Sequence, residues 1–269
     1  MKFLKYALPC TMLLLAACGN KENTANNTTS TAAPISDNKP SYTFEKLPFN
    51  YDISALPEGT TYDISSILVK GNNAEAIAKI NAIIEKEVKL NIANEESQIG
   101  NKSIQDLINE EIAAWVEESK TEYYRGFEKQ LSYKGRQTQD LVVIEESSYS
   151  MTGGAHGNGY DGYLNFKAST GELIEDYQIF KDTSAVKDII FPHFLKEAAA
   201  FFETQIDPKD LNAAGFQFED NKFTLSNEIT IDDKHVIFFY NAYEIGPYVM
   251  GTFELRVPKA ELAAQLAYQ

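Results

Sequence analysis

Cysteine is nearly missing. Of 269 residues only Cys10 and Cys18 carry a thiol, and both precede every segment with a core-forming pattern. Disulfides and thiolate metal sites are therefore excluded from the folding part, whose stability must come from an apolar core. Histidine is scarce as well: His156, His193 and His235 are the three, with no His-x-x-x-His spacing, so neither a metal site nor a cofactor is expected. Basic residues are outnumbered, 24 Lys and Arg against 39 Asp and Glu, for a formal charge of −15. A nucleic-acid partner needs a basic footprint and is excluded. So is a polybasic hold on anionic lipid. The apolar stretch from Tyr6 to Ala17, broken by Pro9, Cys10 and Thr11, is too short to span a bilayer as a mature helix.

What stands at the start instead is the plan of a secretory leader: Lys2 and Lys5, the apolar stretch, then the small residues Ala16 and Ala17. Leu15-Ala16-Ala17-Cys18 resembles the lipobox of bacterial lipoproteins. That resemblance implies a signal peptide at 1–17 and a lipid on Cys18, the membrane being reached through that lipid. The plainer alternative is secretion with Cys18 as an incidental thiol. Residues 18–41, rich in Asn, Thr, Ser, Ala and Pro, cannot bury enough surface to offset ordering and read as a flexible tether. The expected location is the bacterial cell envelope, lipid-anchored, at the outer membrane or the periplasmic face.

The remainder is long enough for one large or two small domains. Strands are expected at Tyr42–Pro48 and Tyr62–Val69. Asn72 with Glu75 reads as a capping box ahead of a helix carrying Ile77, Ile80, Ile84 and Val88 at helical spacing. Ser103 and Asp106 open a second helix, with Ile104, Leu107, Ile108, Ile112, Trp115 and Val116 as its apolar stripe. The period then changes to two, which predicts strands at Phe127–Tyr133, Leu141–Tyr149 and Tyr160–Phe166. A third helix, Thr183–Phe202, turns Val186, Ile189, Ile190, Phe194, Ala198 and Phe201 inward, with Pro192 marking a kink or a restart. Strands follow at Phe216–Phe218, Lys222–Leu225, Ile229–Ile231, His235–Tyr243 and Val249–Val257, and a short helix at Pro258–Leu266. Hairpin strands with grouped helices make this α+β: antiparallel sheets packed with about three main helices.

Two stretches could carry binding chemistry. The first, Met151 to Tyr160, holds Gly153, Gly154, His156, Gly157, Asn158 and Gly159. It reads as a tight connection between strands, or as a cleft in which His156 and exposed backbone amides meet a ligand. The second, Tyr240 to Tyr248, sets Tyr243 and Tyr248 about Glu244 and the strand-breaking Gly246-Pro247. It reads as a sheet corner, or as a tyrosine-rich recognition surface. No Ser-His-Asp order points to a catalytic residue, and adjacent acids such as Glu145-Glu146 fall on opposite faces of a strand.

Thr152-Gly153-Gly154-Ala155-His156-Gly157-Asn158, then Phe166 and Thr170-Gly171, then Phe238-Phe239-Tyr240 through Tyr243-Glu244-Ile245-Gly246-Pro247-Tyr248 and Val257-Pro258, resemble the paired RsiV-like/PdaC-like extracytoplasmic domains of unknown function. Such pairs occur in lysozyme-sensing anti-sigma factors and, in part, beside the catalytic domain of peptidoglycan deacetylases. The resemblance spans roughly 42–262. It implies two closely associated α+β subdomains, drawn at 42–160 and 161–269, that bind another envelope molecule. That molecule is expected to be a cationic protein such as lysozyme, or a peptidoglycan fragment. The sequence shows neither a deacetylase domain with its metal-binding histidines nor a transmembrane and cytoplasmic anti-sigma segment, so fold rather than activity carries over. The expectation is thus a non-catalytic, lipid-anchored binding protein using Gly153, Gly154, His156, Asn158, Tyr243, Glu244 and Tyr248. An envelope hydrolase acting on peptidoglycan or another glycan through His156 and a carboxylate, and a purely structural lipoprotein, are the alternatives.

Overall fold

The computed structural model describes residues 39–93, 95–121 and 126–269. The expected leader, Cys18 and the expected tether as far as residue 38 lie outside the described residues. The fold is α+β, built on a six-stranded sheet in sequential order from β1 to β6 and a three-stranded antiparallel sheet β7-β8-β9. The first sheet comprises β1 (Tyr42–Pro48), β2 (Thr61–Gly71), β3 (Phe127–Gln137), β4 (Leu141–Thr152), β5 (Asn158–Lys167) and β6 (Leu173–Ile174). The second comprises β7 (Glu228–Ile231), β8 (His235–Tyr240) and β9 (Phe253–Pro258). One pairing departs from the antiparallel expectation: β2 and β3 run parallel. A parallel neighbour needs a long return path, and here it contains the helices α1 (Ala74–Ala93), α2 (Glu96–Ile99) and α3 (Ile104–Glu118).

Helices α1 and α3 lay their apolar stripes on one face of the first sheet. Ile80, Ile84 and Val88 of α1 and Leu107, Ile108, Ile112 and Trp115 of α3 are buried with Val142 and Ile144 of β4. The start of α3 follows from its sequence: Ser103 and Asp106 form the reciprocal capping box that satisfies two orphan N–H groups. The start of α1 shifts by one residue from expectation. Asn73, not Asn72, accepts from the Ala76 N–H at 3.2 Å. Asn72 is drawn off to Ser41 N and Lys39 O, and Glu75 pairs with Lys79 instead of closing a box.

Because side chains alternate along a strand, β4 serves two cores. Val142 and Ile144 face the first, while Leu141 and Val143 face a second built from α4 (Thr183–Phe201), the second sheet and the short α5 (Lys259–Leu262). Pro192 lies within α4, which continues past it. Phe194 packs among Phe216, Phe218, Phe223 and Phe253. Phe201, expected inward, is 46% exposed. It ends α4 and rests edge-on against Phe202 and Phe253.

Phe216–Phe218 and Lys222–Leu225 do not form strands. Their aromatics are buried, but Asn side chains take the backbone groups a ladder would use. Asn212 both accepts from Phe218 N and donates to Phe218 O at 2.9 Å, and Asp220 and Asn221 turn through positive φ. Strand β8 stops at Tyr240 rather than Tyr243, and β9 starts at Phe253 because Tyr248–Met250 form a 3-10 turn. Position 160/161 falls inside β5, so the first sheet continues past it. Among the described residues no helix is long and apolar enough to cross a membrane.

Candidate functional site

The glycine-rich stretch is the β4–β5 hairpin connection. Ser150 pairs with Asn158 and Tyr149 with Gly159, so residues 153–157 project beyond the ladder. Gly153 turns at φ 87°, a conformation open to glycine. Gly157 is buried, and a Cβ there would run into the Tyr149 ring. Gly154 is exposed, and a Cβ there would meet only the His156 carbonyl at an ordinary 3.6 Å. Asn158, also exposed, opens β5.

The second stretch arrives from β8 by an unusual docking. Past the short reach of β6, the outer edge of β5 is met by side chains of the second sheet. Asn241 accepts from Asp161 N and donates to Asp161 O, both at 2.9 Å, doing with one amide side chain what a neighbouring strand does with its backbone. Glu228 accepts from Tyr163 N at 3.0 Å and from the Tyr160 hydroxyl. Asn165 donates to Ile229 O and accepts from Thr230 Oγ1. These bonds hold the Asn241 turn beside the hairpin connection.

Three rings then meet. His156 stacks on Tyr248 with centroids 3.8 Å apart and planes 17° from parallel. Tyr243 lies 5.4 Å from Tyr248, and its hydroxyl is 3.1 Å from His156 Nε2. The Gly157 carbonyl takes both His156 Nδ1, at 2.9 Å, and the Tyr248 hydroxyl, at 3.0 Å. A carbonyl only accepts, so Nδ1 carries the hydrogen; in the neutral ring Nε2 then accepts from Tyr243. Both imidazole nitrogens are thereby engaged within the cluster. Tyr243 is 57% exposed, and Val249, which follows Tyr248, is 92% exposed, so the ring cluster presents apolar surface to solvent.

Tyr243 adopts φ 71°, a left-handed conformation that costs a non-glycine residue about 1–2 kcal/mol. Its neighbour Glu244 supplies the restraint. The Glu244 carboxylate turns inward and accepts from Asn227 N at 3.1 Å and Asn241 N at 2.9 Å, while its own N–H bonds Asn241 O. Burial pushes the Glu244 carboxyl above its ordinary range, and the two backbone donors pull it partly back. Of the seven residues singled out in the sequence, then, His156, Tyr243 and Tyr248 form one exposed cluster. Gly153 shapes the hairpin connection, Glu244 braces the turn beneath, and Gly154 and Asn158 flank it. Asn241 and Gly157 also hold the cluster, and no local pattern in either motif signals their part in it. Among the described residues no group of three or more His, Cys, Asp or Glu side chains is placed to hold a metal ion.

The family model described as "Protein of unknown function (DUF3298)" matches residues 177–260. That segment holds Tyr243, Glu244 and Tyr248 but not His156. The fold extends the likeness well beyond it. A solved member of that family from Bacteroides fragilis has a TM-score of 0.59 at 20% identity, over 85% of this chain and 95% of that one. Another, from Pseudomonas aeruginosa, has a TM-score of 0.53 at 18% identity, with the same coverages. The likeness is one of fold. Comparison with curated proteins returns no match.

Proposed function

We propose that this chain is a non-catalytic binding protein of the bacterial envelope, anchored through a lipid on Cys18, and that the His156–Tyr243–Tyr248 cluster is its recognition surface. The observation that carries the reading is the convergence of two segments 87 residues apart on one exposed aromatic cluster, with Tyr243 held in a strained backbone conformation. Strain maintained at an exposed aromatic is a mark of a functional position, since core packing does not require it. Exposed tyrosines with polar tips suit a protein interface, and the formal charge of −15 favours a cationic partner of the lysozyme type by field complementarity. The resemblance to lysozyme-sensing domains points the same way. A histidine with both nitrogens engaged by Gly157 and Tyr243 is better suited to holding a surface than to moving protons.

The test combines anchor and surface. Cells fed labelled palmitate should label the wild type and not Cys18→Ala. Immobilised protein without its leader should retain lysozyme in low salt and release it as ionic strength rises, and Tyr248→Ala should lose retention. Label on the Cys18→Ala protein would remove the anchor from the reading. Equal retention by Tyr248→Ala would remove the surface, and release of soluble muropeptides from peptidoglycan would replace binding by hydrolysis.

A further inference from the structure

A second concavity shares no residue with the ring cluster, and Asp161 of its lining meets the tyrosine turn only through backbone bonds to Asn241. Its floor is the face of β3, β4 and β5 on which Ser132, Ser147 and Asp161 stand opposite one another across the three strands. Lys134, Glu145 and Tyr163 form the next row. At about 4.8 Å between strands and about 6.8 Å between alternate residues, the two rows cover roughly 10 by 7 Å. Phe239 of β8 lines the cleft, whose volume is about 330 Å³. That is near the lower end of the roughly 300–1,000 Å³ typical of ligand sites, room for a ligand of one or two rings.

The chemistry of the lining narrows the ligand. Arg136 takes Glu145, Nε to Oε1 at 3.0 Å. The Lys134 ammonium, the Asp161 carboxylate and the hydroxyls of Ser132, Ser147 and Tyr163 make no hydrogen bond or ion pair among the described residues. Donors and acceptors thus stand side by side within one row spacing of each other. The lining sets Lys134 against Glu145, Glu146 and Asp161, and even with the Arg136 on Glu145 counted one negative charge is in excess, so the cleft does not select a phosphate. The Tyr163 phenol is a donor at neutral pH, and burial, helped by Glu254 and Glu145, raises it to about 12. Tyr163 and Phe239 add flat apolar surface to this polar floor.

We infer that the cleft between β3–β5 and Phe239 is a subsite for a neutral saccharide. A sugar ring carries hydroxyls that donate and accept in alternation, which Asp161, Lys134 and the serines can satisfy together. Its C–H face is apolar and fits against an aromatic wall. A peptide would ask for a longer groove with pockets at alternate positions, and an anion for an excess of positive charge.

The experiment is a titration of the isotope-labelled chain with chitotriose and with maltotriose, followed by amide shifts. At least one trisaccharide should move the amides of Ser132, Glu145, Ser147 and Asp161 in a saturable way. Asp161→Asn and Phe239→Ala should each weaken that binding at least about tenfold, and Tyr243→Gly should leave it unchanged. Absence of shifts at these amides with both sugars at millimolar concentration overturns the subsite, as does binding that survives both variants. Because Tyr243→Gly takes a ring from the cluster and leaves every residue of the cleft in place, failure of the lysozyme reading and failure of this one are told apart.

Discussion

Tyr243 separates two accounts of the ring cluster. If its ring mattered only for stability, removing it would cost packing. Yet the ring is more than half exposed and its backbone sits at φ 71°. Glycine accepts that backbone freely but is costlier to order by about 0.5–1 kcal/mol, against a left-handed penalty of about 1–2 kcal/mol for tyrosine. Tyr243→Gly is therefore expected to match or exceed the parent in stability, by up to about 1 kcal/mol, while losing partner binding. Urea unfolding beside a binding assay checks both, and a stability loss above about 2 kcal/mol would make Tyr243 a structural residue. At this scale the sequence is legible where chemistry is local. Ser103 and Asp106 stand three apart and cap α3 as they must. Asn72 fails the same test because a residue 31 positions away, Ser41, claims its side chain. No local pattern reports that competition.

Among the elements, the helices are the most legible because their stripes repeat over many turns. Ile80, Ile84 and Val88 give the buried face of α1 outright. Alternation misleads at Phe216 and Phe218, where buried aromatics belong to a coil stapled by Asn212. The edge of β5 was not legible at all: a strand ending its ladder on the amide of Asn241 has no signature in either segment. That edge gives a sharp prediction. Asn241→Ala leaves the Asp161 N–H and C=O without their partner, at about 1–3 kcal/mol per group left unsatisfied, reduced where water reaches. Thermal unfolding should shift downward, and the Asp161 amide should exchange faster while the amides of α3 stay protected. Unchanged exchange at Asp161 would show that the docking does not depend on this side chain.

At the scale of the whole molecule, one strand holds two cores apart and together. The alternation of Leu141, Val142, Val143 and Ile144 along β4 commits each neighbour to a different core. The two segments of the ring cluster come from different sheets, the hairpin connection from the first and the tyrosine turn from the second. Each motif was visible in the sequence as a glycine or tyrosine cluster. Their meeting was not, because it depends on how Asn241 and Glu228 seat the second sheet on β5. The acidic balance of the chain, −15 overall, is the reason a cationic protein is the occupant we propose. Hydrogen exchange of the chain alone and with excess lysozyme tests this most directly. Slowed exchange is expected in residues 152–158 and 241–251 together, with the helices α1 and α3 unchanged. Slowing in only one of these segments, in α1 and α3 instead, or nowhere, would contradict the assignment of the ring cluster as the recognition surface.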